Sequence, residues 1–559
     1  MSGWHDLRHS VRVLLKTPGF TITAIVTLAL GIGASTATFT VVNALLLRPL
    51  PYRESGDLVL VTGVDRGREE TFGCLTHPRF TLIAGQNRVF AGIAAFTGDS
   101  VNVTNPGDAE QVRAARVSPG FFDVLGVKPA LGRTFIRPDE NAGTVAIISD
   151  SLWRRRFGAN PNVIGKAIAV DASDRTIVGV LPAAFTFGLL GDHIDVWTPR
   201  IDELSLASPE QLRSGTCYLN AVARLAGGVD RPQAQAQMDV LNRRYVKEFA
   251  KFPDADPRRR VLAQSLQERL VGGFRPMLTT ITAAVALVLL IACANVASLL
   301  LARGLTRRRE LAVRTALGAS RANLVGRLLS ESLLLSGSGG IIGLVVSLVG
   351  IRPLAVAVEG VLPRSEEIRA GVDPRVLWFA IALSIVTGVA AGLAPAFQIS
   401  RGRLLGILRT DDRGSIGHQR RTVLRNLLVA SQVALSLVLL VGTGLLVRSF
   451  WKLQTLDPGF EPRGTLTMNL SLPPAKYSNR VQMVDFYQRL LEKVQALPGV
   501  EVASVASALP VNPSRMTPIL AEGQAAVPLA ERPVVVIQTF LGSYLKTMGI
   551  PLRRSPRTP

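Results

Sequence analysis

Cysteine and histidine are scarce in this chain of 559 residues, and nucleotide-binding motifs are missing. Three cysteines cannot form the framework of a disulfide-stapled domain. The histidines His5, His9, His77, His193 and His418 lie far apart, with no cysteine or carboxylate at ligand spacing, so no metal site is expected. The nearest approach to a phosphate-cradling loop is Ile164-Gly165-Lys166-Ala167. There Asn160 stands where the first glycine belongs and Ala167 replaces the hydroxyl, which leaves a turn between strands. Ser336-Gly337-Ser338-Gly339-Gly340 lacks the glycine two places before a nucleophilic serine. No catalytic activity and no cofactor are therefore expected of the chain itself.

Charge is also sparse, at 19% of residues against 48% hydrophobic, where a soluble domain carries about 25% charged residues. The shortage is concentrated in five charge-free runs. They lie between Lys16 and Arg48, Arg275 and Arg303, Glu331 and Arg352, Arg375 and Arg401, and Arg425 and Arg448. A helix needs about 20 residues to cross a hydrocarbon core of about 30 Å, and a charge at its centre costs at least about 2.5 kcal/mol. Five transmembrane helices are expected, at 19–47, three within 275–400, and 425–447. Trp378 and Trp451 fall near the outer ends of the fourth and fifth, where belt aromatics belong.

What is present is arginine, and its placement orients the chain. Arg303, Arg307, Arg308, Arg309, Arg314, Arg321 and Arg327 face one acid, Glu310, in the loop after the second run. The loop after the fourth holds Arg401, Arg403, Arg409, Arg413, Arg420, Arg421 and Arg425 against Asp411 and Asp412. The 352–373 loop is balanced in charge. The positive-inside bias puts the N-terminus and both arginine-rich loops, the second a basic linker at 401–424, in the cytoplasm. Residues 48–274, 352–373 and 448–559 then lie outside. The net charge of +22 is read as a topology signal, and no nucleic-acid partner is expected. Trp4, Leu7, Val11 and Leu14 at helical spacing, beside Arg8, Arg12 and Lys16, describe an interfacial helix at 1–18 lying on membrane lipid. The apolar run after it is longer than the 7–15 residues of a cleaved leader's core.

Residues 48–274 have ordinary soluble composition. Short β-branched stretches at 145–148, 167–170 and 176–180 alternate with turn residues, and 226–249 reads as a turn followed by a helix carrying Gln233, Met238, Leu241 and Tyr245. An α+β domain is expected, with room for two lobes. Two similarities suggest duplication. Leu47-Arg48-Pro49-Leu50 parallels Val447-Arg448-Ser449-Phe450. Gly120-Phe121-Phe122-Asp123-Val124-Leu125-Gly126-Val127 parallels Ser543-Tyr544-Leu545-Lys546-Thr547-Met548-Gly549-Ile550, each a helical turn closed by glycine. A second, partial outer domain is thus expected over 448–559, and the change after Leu552 to Arg553-Arg554-Ser555-Pro556 suggests a truncated or frameshifted end. Cys74 and Cys217 share the oxidising side, where a disulfide and two free thiols are both open. Glu331, one turn inside the third span, reads as the partner of Arg327 rather than a proton relay. Gly339 with Gly343, and Gly388 with Gly392, are small-xxx-small pairs suited to close helix packing.

The stretch Arg307-Arg308-Arg309-Glu310-Leu311-Ala312-Val313-Arg314-Thr315-Ala316-Leu317-Gly318-Ala319-Ser320, followed by Glu331-Ser332-Leu333-Leu334-Leu335, resembles the permease domain of the FtsX/MacB family of ABC transporters. Leu28-Ala29-Leu30-Gly31-Ile32-Gly33-Ala34 is similar to that family's first span. Trp153-Arg154-Arg155-Arg156-Phe157-Gly158 and Ile177-Val178-Gly179-Val180-Leu181-Pro182 resemble its periplasmic core domain. Gln432-Val433-Ala434-Leu435-Ser436-Leu437 and Asp457-Pro458-Gly459-Phe460 are similar to the middle span of the duplicated, acidobacterial-type members. The resemblance implies a helical permease of the bacterial inner membrane, with a MacB-like core domain outside. It also implies a separate ABC ATPase subunit docked on a coupling helix at 304–321, through Arg307, Arg308, Arg309, Glu310, Arg314, Gly318 and Arg321. ATP-driven motion would lever the outer domain to export drugs, peptides or lipoproteins, with a second permease copy or a periplasmic adaptor as further partners. The competing reading is a non-transporting regulator that uses the same lever on an outer hydrolase or sensor.

Overall fold

Helices occupy the stretches from which charge is excluded. The computed structural model describes residues 12, 14–65, 73–105, 107–191, 193–204, 209–213, 216–252, 254–306, 321–357, 373–401, 416–472, 476–477, 479–510, 516–524, 532 and 534–551. It divides into two units, Met1–Arg48 with Val271–Thr455, and Pro49–Leu270 with Leu456–Pro559. Among the described residues five helices are long and apolar enough to cross a membrane: Pro18–Leu47, Leu266–Arg303, Val325–Pro353, Pro374–Leu393 and Val429–Gln454. They are called the first to fifth spans.

The first span starts where Thr17 leaves helical geometry and Pro18 takes the first helical position, which needs no backbone donor. It ends in a π-helical turn, Asn43–Leu47. Its buried hydroxyls are satisfied along the helix itself: Ser35 donates to the Gly31 carbonyl at 2.8 Å and Thr36 to Ile32 at 2.7 Å, as a low-dielectric setting requires. Leu28 and Ile32 of the first span, Val296 and Leu300 of the second, Leu335 of the third and Ala391 of the fourth share one buried cluster. The fifth span has no buried residue in its most apolar stretch. Its helix, Ile416–Gln454, runs past Arg448 and Lys452, further than the charge-free run that marks it in the sequence.

The soluble unit is built on strands β1 (Leu58–Asp65), β2 (Leu75–Thr76), β3 (Phe90–Asn105), β4 (Glu110–Val117), β5 (Leu131–Gly132), β6 (Val145–Ile148), β7 (Ala167–Val170), β8 (Ser173–Val180), β9 (Val196–Thr198), β10 (Cys217–Leu225) and β11 (Arg259–Ser265). Their order is β11-β1-β10-β3-β4-β9-β6-β8-β5, with β2 on β10 and β7 bridging β3 and β8. Only β4–β9 and β6–β8 are parallel among these pairings. The long β3 joins two lobes: Phe90 to Phe96 pair with β10, and Phe96 to Val103 pair with β4. On the first lobe the helices His77–Gln86 and Arg231–Glu248 cover β1, β10 and β11 through Phe80, Ile83, Ala234, Met238 and Leu241. On the second, Ile148, Leu152, Ile168, Ile177 and Val180 form a separate core. Between them an aromatic cluster of Phe96, Phe121, Phe122, Phe187 and Trp197 packs mostly edge to face, the arrangement ring quadrupoles favour.

Helix Arg231–Glu248 begins with a reciprocal cap. Asp230 accepts from the Gln233 backbone at 2.8 Å and Gln233 accepts from the Asp230 backbone at 3.0 Å. Gln233 is thus a capping residue, while Met238, Leu241 and Tyr245 form the buried face. Cys74 and Cys217 are joined in a disulfide across a sequence separation of 143. One turn away, Arg79 is only 2% exposed and donates to Asp254 Oδ2 at 3.0 Å, its guanidinium 4.3 Å from the centre of the Tyr245 ring. Thr76 and Tyr245 also donate to Asp254, at 2.8 and 2.9 Å. Burial pushes the Tyr245 hydroxyl up to about 12, so it stays a donor. Removing one partner of a buried, hydrogen-bonded ion pair costs about 3–5 kcal/mol. Asp254→Asn should lower the unfolding midpoint of the soluble unit in the detergent-solubilised chain, and calorimetry that found the midpoint unmoved would show the pair to be dispensable.

Candidate functional site

In the sequence the arginine-rich segment lies between helix Arg275–Thr306 and helix Arg321–Ala357. Arg307, Arg308, Arg309, Glu310, Arg314 and Gly318 lie outside the described residues. Arg321 opens the second of these helices.

The helix end before this segment is tied to the start of the first span. Arg303, in the last turn of Arg275–Thr306, donates from Nη2 to Thr17 Oγ1 at 2.8 Å. Its guanidinium also lies 4.6 Å from the centre of the Phe20 ring. Thr21 donates back to the carbonyls of Leu14 and Thr17 at 2.8 and 3.0 Å. On the third span Glu331 is 3% exposed, with Arg327 Nε 4.0 Å away, one turn earlier.

The first span meets the third at a glycine crossing. A methyl group at Gly343 would sit 2.7 Å from the Ala29 carbonyl oxygen and 2.9 Å from the Gly33 nitrogen. One at Gly339 would sit 2.9 Å from Leu28 Cβ, and one at Gly33 would sit 2.9 Å from the Gly343 carbonyl oxygen. The third and fourth spans cross in the same way, with serine opposite glycine. Ser336 lies against Gly388, Ser332 against Gly392, and Ser384 against Gly340. Helices surrounded by lipid gain little from burying more hydrocarbon, so close backbone approach and dispersion hold them together. Sequence reasoning passed over Gly33 and Gly340; the spacing Gly31-Ile32-Gly33 and the neighbouring serines were the available signals. At the other end of the first span Asn43 donates to Asp373 Oδ2 at 2.9 Å, and Phe39 stacks on Phe379 at 4.0 Å.

The order of parts is a span, a mixed-sheet domain, and then four spans with a basic segment between the first two of them. The description of a MacB-like periplasmic core domain matches residues 21–241, and that of an FtsX-like permease C-terminal domain matches residues 282–404. The chain belongs to the MacB/FtsX-type ABC permeases. The second match contains the whole 307–320 segment and the third and fourth spans of this permease. A macrolide export ATP-binding/permease protein MacB of Sodalis glossinidius is 26% identical over 351 residues, 61% of this chain and 50% of that protein. Another, from Burkholderia thailandensis, is 30% identical over 241 residues, 42% of this chain and 34% of that protein. The chain spans half the length, or less, of these relatives. The periplasmic region of MacB from Actinobacillus actinomycetemcomitans is 14% identical, with 37% of this chain and 89% of that one covered at a TM-score of 0.28, too low to support an argument from shape.

The glycine crossing makes a sharp stability prediction. Gly343→Val must push the Ala29 backbone away and should lose about 1–3 kcal/mol, the usual penalty of overpacking. Gly337→Ala, with no neighbouring atom within 4 Å of the added methyl, should leave the melting temperature in detergent unchanged. Equal effects from the two would show that the first and third spans are not held by this contact.

Proposed function

We propose that this permease receives ATP-driven motion from a separate ABC ATPase at the 307–320 segment and passes it through the first and second spans to the soluble unit, exporting substrate from a bacterial inner membrane. The observation that carries the proposal is the order of the two family matches along one chain, with the basic segment inside the second. These 559 residues hold no glycine-lysine phosphate loop, so the nucleotide site of the proposed cycle lies outside them. Placement of the soluble unit outside is supported by the Cys74–Cys217 disulfide, since such bonds persist in oxidising compartments. Of the substrate kinds expected from the sequence, drugs fit relatives named for macrolide export.

A duplicated outer domain is part of the same reading. Gly126 and Gly549 both close a helical turn in left-handed geometry, with φ of 71° and 62°. A methyl at Gly126 would meet Arg53 Cβ at 2.5 Å, and one at Gly549 would meet Glu461 Cβ at 3.0 Å. Arg53 and Glu461 each follow the aromatic residue, Tyr52 or Phe460, that comes soon after a span. The two turns therefore rest on corresponding parts of the chain.

Docking at the segment is tested by co-purification of the full chain with whatever ABC ATPase it retains. Glu310→Lys combined with Arg314→Glu should reduce the retained ATPase at least tenfold, since loss of a close interfacial charge pair costs about 2–5 kcal/mol. Membrane insertion should be unaffected. Undiminished retention would mean that the segment carries topology alone.

A further inference from the structure

Arg303 does not behave like an arginine whose whole task is to mark the inner face. Such a residue extends its charged head into water, whereas Arg303 is partly buried and turned onto Thr17 and Phe20 of the first span. It stands four residues before Arg307, in the last turn of the helix that leads into the arginine-rich segment. Thr17 stands at the other side of the contact, at the point where the first span begins. The Thr21 hydroxyl bonds to Leu14 and Thr17 join residues 14 to 21 into one hydrogen-bonded unit.

We propose that Arg303 is a positioning residue that locks the inner end of the first span to the end of the second, so that displacement of the 307–320 segment carries the first span with it. This rests on the docking reading above for its driving force, though the lock itself does not. Further along, these two helices share an apolar cluster that includes Leu28 and Ile32 with Val296 and Leu300. Apolar surfaces attract but slide, because dispersion and hydrophobic attraction have little directional preference. A guanidinium held by a hydroxyl acceptor in its plane and an aromatic ring on its face is fixed in two directions at once. A lysine ammonium, a point charge on a flexible stem, keeps the charge but not the plane. The first span runs on in sequence through Pro49 into the soluble unit, so whatever moves its inner end acts on the helix that leads there.

The lock is tested in the full chain in lipid vesicles, with Cys293→Ser and the Cys74–Cys217 disulfide intact, using a nitroxide at Ile22 or at Leu47. Both positions are exposed on the first span, at 61% and 52%. Arg303→Gln should at least double the nitroxide mobility at position 22 and leave position 47 unchanged. Arg303→Lys should recover part of the immobilisation, Thr17→Ser all of it, and Thr17→Val none. An unchanged spectrum at position 22, or an equal rise at both positions, would overturn the lock. In vesicles that also hold the co-purified ABC ATPase, Arg303→Gln should preserve ATP hydrolysis and lose most of the ATP-driven change in distance between labels at positions 22 and 240. Persistence of that change would overturn the role in transmission. If the unaltered chain retains no ATPase, the docking reading fails, and the mobility comparison still decides whether the lock exists.

Discussion

Excluding charge from the hydrocarbon core is the constraint from which the rest of this molecule follows. A carboxylate or guanidinium at the bilayer centre is costly even on lenient scales, so the 63 basic and 41 acidic residues are pressed into loops, helix ends and the soluble unit. That pressure isolates the arginine-rich segments and leaves small and apolar residues to join the spans. It also leaves them little hydrophobic reason to associate. The glycine crossing at Gly33 and Gly343, and the serine-on-glycine contacts of the third and fourth spans, are the packing solution available to helices surrounded by lipid.

The first span is held along its whole length. Arg303 grips its N-terminal end, Gly343 meets its middle, and Asn43 and Phe39 engage Asp373 and Phe379 at its C-terminal end. The fifth span has no buried residue in its most apolar stretch. Attachments of this kind suit a helix that transmits displacement, and in the proposed cycle the first span is that helix. Its π-helical turn at Asn43–Leu47 lies where the span gives way to the soluble unit, a position where such turns often accompany function.

The spans were legible because charge-free runs longer than about 20 residues have few other physical readings. Helix 231–248 was legible for a different reason: Asp230 and Gln233 carry a cap signature, and Met238, Leu241 and Tyr245 carry the helical period. Strand positions 145–148 and 167–170 could be seen from β-branched composition, but their neighbours could not. The β11-β1-β10-β3 order depends on pairings between residues separated by as much as the whole domain, and local pattern holds no record of them. Arg79 and Asp254 look in the sequence like any surface charges, since only the fold buries them. Cys74 and Cys217 likewise became a pair only when β2 and β10 came together. Within the candidate site, Gly339, Gly343, Gly388 and Gly392 stood out by spacing, while Arg303 did not, because in the sequence it is one more arginine at the edge of the basic segment.

Sidedness is the claim on which the account stands or falls. Single cysteines placed at positions 150 and 310, in a chain whose Cys293 has been replaced, can be challenged with a membrane-impermeant maleimide in intact cells and again after permeabilisation. Labelling of position 150 in intact cells, with position 310 reactive only after permeabilisation, is the expected outcome. Labelling of both from the same side would contradict the account.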